Sequence, residues 1–169
     1  IERLVEEISK ATIVDVEMGK NEKDLNYVLN NTIKSATFDI DRFQFNTAIA
    51  RMMELINAIS KYQQATNATT SFLKETVLTL LKLVSPFAPH FAEECWEKLG
   101  QGYSIFNQKW PEFDESALVL DTIEIAVQIN GKTKVVTTIP AECSKDAAIA
   151  AGKTALGDKL TGTIVKEIY

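Results

Sequence analysis

"DTIEIAVQINGKTKVVTTIP", residues 121–140, is where this chain changes its period. Ile123, Ile125, Val127 and Ile129 alternate with Glu124, Ala126, Gln128 and Asn130, the repeat of a strand with one face on a core. Asn130-Gly131 marks a tight reversal, and Thr133 to Ile139 returns as a second strand. A two-residue Asn-Gly turn sets Val127 opposite Lys134 and puts a lysine on the apolar face. A three-residue turn, Ile129-Asn130-Gly131 with Gly131 left-handed, pairs Gln128 with Lys132, Val127 with Thr133 and Ile125 with Val135. A shift of one residue exchanges the two faces, and only the second option keeps the inner face apolar. The three-residue turn is therefore expected, with Gln128, Lys132 and Lys134 gathered at the exposed tip.

Upstream, the period is helical. Leu25, Val28, Leu29, Thr32, Ile33, Ala36 and Ile40 form one stripe. Ala48, Ile49, Met52, Leu55, Ile56, Ile59 and Tyr62 form another, entered through the capping types Asn46-Thr47. After the polar connection "QQATNATTS" (63–71) comes a third stripe, Leu73, Val77, Leu80, Leu81 and Val84. Ile1, Leu4, Val5, Ile8 and Val16 suggest an earlier helix whose middle opens the chain, as in an excised fragment. Four or five such helices with short connections make an antiparallel bundle.

"LVSPFAPHFAEECWEKLG" (83–100) holds the chain's single histidine between two prolines. Pro86 disfavours helical geometry at Ser85 and stops one helix; Pro89 suits the first turn of the next. Glu93 and Glu94 sit near that helix's positive end, and Lys98 near its negative end before Gly100. His90 and Cys95, five positions apart, project about 140° from each other around a helix. That is poor geometry for one metal, and no second histidine completes a site. His90 is expected to cap or pack, with Cys95 and Trp96 in the core.

Downstream, Ser144 opens a helix to about Ala151, with Lys153 and Lys159 beyond, and "TGTIVKEIY" (161–169) reads as an unfinished third strand. The expected architecture is mainly α: a helix bundle over 1–118, then a small truncated β-β-α-β module over 119–169. The formal net charge of -5 gives no bulk attraction to a polyanion. Residues 1–118 carry 12 Lys/Arg against 17 Asp/Glu, whereas 119–169 carry six of each, so the acidity belongs to the bundle. No apolar run approaches the roughly 20 residues of a membrane span. Cys95 and Cys143 are expected as free buried thiols in a reducing cytoplasm.

"SPFAPHFAEECW" (85–96), "TIKSATFDIDRF" (32–43), "FNTAIARMMELINAISKY" (45–62), "WPEFDE" (110–115) and "DTIEIAVQINGKTK" (121–134) together resemble class I aminoacyl-tRNA synthetases. The resemblance is to the anticodon-binding and bacterial-type C-terminal domains of the leucyl-tRNA synthetase family. The hairpin after Asp121 separates it from the isoleucine and valine branches. It implies a tRNA-binding appendage, with tRNA(Leu) as partner and further contacts to a catalytic body of the same ligase. That family's HIGH-like and KMSKS-like motifs do not occur here, so no catalytic residue and no metal ligand is expected in this chain. ATP and Mg2+ are expected in a separate catalytic domain. The tRNA-contacting candidates are Lys132, Lys134 and Gln128 at the hairpin tip, then Lys153, Lys159 and Lys34. Relatives commonly carry arginine at the position of Lys134 and a further strand beyond Tyr169. An alternative from another functional class is a protein-interaction module whose helices dock on a partner.

Overall fold

The computed structural model describes residues 1–119, 122–141 and 143–157. The chain divides into two compact units, Ile1–Leu118 and Val119–Tyr169. The first is a bundle of five helices. α1 (Glu2–Lys10) buries Leu4, Val5 and Ile8. Val16 lies outside this helix, in an extended stretch whose Val14 bridges Thr70 in parallel. α2 (Lys20–Asp41) buries Leu25, Thr32, Ile33 and Ala36 along the expected stripe. α3 (Phe45–Thr66) starts ahead of Asn46-Thr47, with Gln44 at the cap position and no side-chain cap bond. It ends at Asn67, whose left-handed φ of 54° stops the hydrogen-bond ladder.

α4 (Ser71–Val84) is the central helix, and Leu73, Val77, Leu80, Leu81 and Leu83 are fully enclosed. Each such aliphatic chain contributes about 1.5–3 kcal/mol by leaving water. Thr70 caps it, its Oγ1 accepting from the Leu73 amide at 3.0 Å. The same hydroxyl lies 3.0 Å from the Tyr62 oxygen, and Tyr62 donates to Glu22 Oε1 at 2.8 Å. Three helix ends are thereby joined by one buried polar chain: the start of α2, the end of α3 and the start of α4. The rule that buried polar groups are hydrogen-bonded explains why an acid can sit there at 7% exposure.

Ser85 keeps helical dihedrals, φ -55° and ψ -35°, contrary to the expectation from Pro86. The Ser85 amide still bonds Leu81 O at 2.9 Å; the missing N–H of Pro86 is what ends the ladder. α5 (Pro89–Lys98) begins with its proline in the first turn and buries Ala92, Cys95 and Trp96. Glu93 does not serve that helix's positive end. Its Oε2 accepts from the Ile105 amide at 2.9 Å, and Glu94 pairs with Lys98 at 2.8 Å.

Residues 101–118 form a strap on the bundle. Trp96 Nε1 donates to Tyr103 O at 2.7 Å, and Trp110 Nε1 to Thr37 Oγ1 at 2.8 Å. The Asp114 amide donates to Asn30 Oδ1 at 2.7 Å, while Asn30 donates to Asn26. Two short 3-10 turns, Ile105–Asn107 and Glu115–Leu118, punctuate the strap.

In the second unit, β1 (Thr122–Ile129) pairs antiparallel with β2 (Lys132–Pro140), and α6 (Lys145–Leu156) packs against β2. The turn is the two-residue Asn130-Gly131 form, with φ of 52° and 75°, which corrects the three-residue expectation. Ile129 faces Lys132 and Gln128 faces Thr133; a bulge then skips Lys134, so that Val127 faces Val135 and Ile125 faces Thr137. The bulge restores the parity that the two-residue turn would have lost. A tight turn and a consistent inner face are both obtained, at the cost of one unpaired residue. The expected third strand (161–169) lies outside the described residues.

Candidate nucleic-acid interface

The hairpin tip presents Gln128, Lys132 and Lys134 to solvent. The register separates them more than expected. Gln128 lies across from Thr133, to which its amide donates at 3.5 Å, while Lys132 lies across from Ile129 and so alternates to the other face. Lys134 is the bulge residue, released from the ladder and exposed. A bulge re-aims a side chain while leaving the strand intact. Two lysines within three residues of one tight turn are thus exposed at the same end of the hairpin.

α6 explains how that edge is supported. Ser144 Oγ accepts from the Ala147 amide at 3.3 Å and caps the helix. Ala148, Gly152 and Leu156, at four-residue spacing, form its buried face. Helix and sheet pack closely at Gly152, where a Cβ would lie at ordinary contact distance, 3.4 Å, from Val127 Cγ2. The helix runs five residues past the expected end, which places Lys153 inside its last turns, exposed. Lys159 lies outside the described residues. Lys34 belongs to the first unit, on the exposed side of α2, with Nζ 5.2 Å above the Phe113 ring of the strap. A second cation–aromatic pair, at the C-terminal end of α2 and not foreseen from sequence, is the cap residue Arg42 stacked 3.8 Å over Phe38. Its four-residue spacing on a helix was the available signal.

His90 neither caps nor packs: it is exposed in the first turn of α5, and Ala88 occupies the cap position without a side-chain bond. Cys95 is buried as expected, and burial pushes its thiol above the ordinary value, which disfavours the thiolate. Cys143 is free but only half-buried. Among the described residues no three of His, Cys, Asp and Glu converge as a metal seat, and no helix is long and apolar enough to cross a membrane.

The family described as the anticodon-binding domain of tRNA ligase matches residues 22–149. The leucine–tRNA ligase of Clostridium perfringens is 49% identical over 175 residues, covering 99% of this chain and 21% of that protein. The leucine–tRNA ligase of Clostridium kluyveri is 51% identical over 154 residues, covering 86% of this chain and 18% of that protein. A solved ternary complex of an Agrobacterium radiobacter LeuRS with tRNA and LeuAMS superposes with a TM-score of 0.67 at 26% identity. It covers 92% of this chain and 20% of that one. The chain spans about a fifth of the length of the relatives it matches.

Proposed function

The chain belongs to the anticodon-binding domain family of tRNA ligases, and from that premise we propose that it holds tRNA(Leu) for a leucine–tRNA ligase. Leucylation itself is assigned to parts of such a ligase outside this chain. The supporting observation is the hairpin tip: Lys132 and Lys134 on a sharply turned, bulged edge, in a chain whose relatives at about half identity are leucine–tRNA ligases. Lysines of this kind contact phosphates, which sets the register of a folded RNA without reading its bases. Lys153, Lys159 and Lys34 are proposed as secondary contacts, with Gln128 as a hydrogen-bonding neighbour. The gain is positional: tethering the tRNA body raises the effective concentration of its 3′ end at the reacting centre. ATP and Mg2+ belong, on this reading, to the ligase's catalytic part; the described residues offer no carboxylate cluster to seat the metal. The cytoplasm is the proposed compartment, consistent with two free thiols.

The test is a titration of the 169-residue chain with a tRNA(Leu) transcript across a salt series. Affinity should fall linearly on a log–log scale as salt rises. Lys132→Ala with Lys134→Ala should weaken binding and reduce the slope by about 0.7–0.9 for each phosphate left without its lysine. No binding at low salt, or an unchanged slope in the double variant, would overturn the assignment.

A further inference from the structure

Asn130 alone among the chain's asparagines precedes a glycine. Both residues are exposed at left-handed dihedrals, φ 52° and 75°, and nothing lies within 4 Å of the position a Cβ would take on Gly131. Among the described residues neither the Asn130 carboxamide nor the Gly131 N–H has a hydrogen-bond partner. An asparagine carboxamide can be attacked by the backbone nitrogen that follows it, closing a succinimide ring. A side chain on that following residue shields the nitrogen, and glycine has none. Asn26, Asn30, Asn31 and Asn57 each precede a residue with a side chain, whose amide is held in the ladder of α2 or α3.

Ring closure requires Asn130 to leave the dihedrals of the turn, and the fold eases that departure. Only Ile129–Lys132 and Gln128–Thr133 pair between the turn and the bulge. The tip can open as this short unit while Val127–Val135 and the pairs behind it stay closed. Such a local opening costs far less than unfolding the hairpin. Asn-Gly is the pair that the tight turn favours, so the residues that close the hairpin are also its reactive ones.

We propose that Asn130 is a site of spontaneous covalent modification, where a carboxylate replaces the carboxamide beside Lys132 and Lys134. The Gly131 nitrogen attacks Cγ of Asn130: the N–Cγ bond forms, the Cγ–Nδ2 bond breaks, and Nδ2 leaves as ammonia with the amide proton. Water then opens the succinimide. Opening at Cγ gives aspartate; opening at the backbone carbonyl gives isoaspartate, with the chain rerouted through the former side chain. One water is consumed and one ammonia released, and no oxidant or cofactor is needed. Either product lowers the formal charge of the tip from +2 to +1. Isoaspartate also lengthens the backbone of a two-residue turn, so the Ile129–Lys132 pair should be lost. The consequence for binding rests on the assignment to tRNA: modification is then a one-way switch that weakens the lysine tip.

The 169-residue chain is aged in warm, mildly alkaline buffer and its peptides are followed by mass spectrometry. Edman degradation, which stops at isoaspartate, separates the two products. The Asn130 peptide should convert at least about tenfold faster than peptides carrying the other asparagines, and Asn130→Gly should abolish the conversion while keeping a turn-forming Gly-Gly pair. Deletion of Lys134, which closes the bulge, should slow it by about threefold or more. A rate no higher than elsewhere would overturn the proposal, and so would a rate that closing the bulge leaves unchanged. Asn130→Asp is then titrated with tRNA(Leu) beside the Lys132→Ala, Lys134→Ala double variant, and weakening by about threefold to tenfold is expected. Weakening in the lysine variant alone would overturn the switch. Weakening in neither would sink the tRNA assignment and leave the modification site, read by mass alone, standing.

Discussion

The Tyr62 phenol lies between Glu22 and Thr70, and its ring packs edge-on near Phe72 at 6.3 Å. Tyr62→Phe keeps the ring and removes the proton that satisfies a buried carboxylate. The expected cost is about 1–3 kcal/mol, since the acid is left short of a donor. In a chain of this size that lowers the melting temperature by roughly 2–4 °C per kcal/mol, measured by circular dichroism. Burial, more than its hydrogen bonds, pushes this phenol above its ordinary value of 10.0. The folded state therefore holds the proton more tightly than the unfolded chain does. That stabilisation is complete below about pH 10 and is lost as pH rises through the native value. Stability measured from pH 9 to 11 should decline more steeply in the wild type than in Tyr62→Phe. Gly152 offers a change of opposite sign. An added methyl meets Val127 at ordinary contact distance, 3.4 Å, and removes a flexible residue from a helix. Gly152→Ala should stabilise the second unit by up to about 1 kcal/mol in a denaturant titration, whereas Gly152→Leu should push α6 from the sheet and destabilise it.

Among the elements, the hairpin separates fold from binding. Lys134 is the extra residue that the bulge absorbs, so its deletion leaves Ile129–Lys132, Gln128–Thr133 and Val127–Val135 as a continuous ladder. The shortened hairpin should fold with the same inner face, detected by NMR as cross-strand proximity of Val127 and Val135, while tRNA affinity falls. Disappearance of that proximity would mean that the bulge itself holds the strands together. The hairpin also shows where sequence reasoning stopped. Alternation and Asn-Gly were enough to place two strands and a reversal, because both signals are local. The parity argument correctly required an apolar inner face, yet it met that requirement with a longer turn. The chain met it with a bulge at Lys134, an equally valid solution that a comparison of two unbulged ladders does not contain. The strap was hidden for a related reason: Trp110, Asn30 and Asp114 find partners 73 and 84 positions apart in sequence.

Across the full chain, the distribution of charge sets the expected behaviour toward polyanions. A chain of net charge -5 with acidity concentrated in residues 1–118 repels an unstructured polyanion over most of its surface. Heparin or single-stranded polyuridine should therefore compete poorly with tRNA in the binding assay; equal competition would reduce the lysine tip to a nonspecific cation patch. Residue order alone was enough for the all-α character of the first unit, the switch to strands near residue 120 and the helix punctuation at Pro86 and Pro89. Those features follow from period, breakers and capping chemistry, which act within a few residues. The bulge at Lys134, the buried Glu22–Tyr62–Thr70 chain and the strap emerge only once the chain is folded. Each depends on which distant segments meet, and a linear pattern marks a residue as apolar or polar without saying what will cover it.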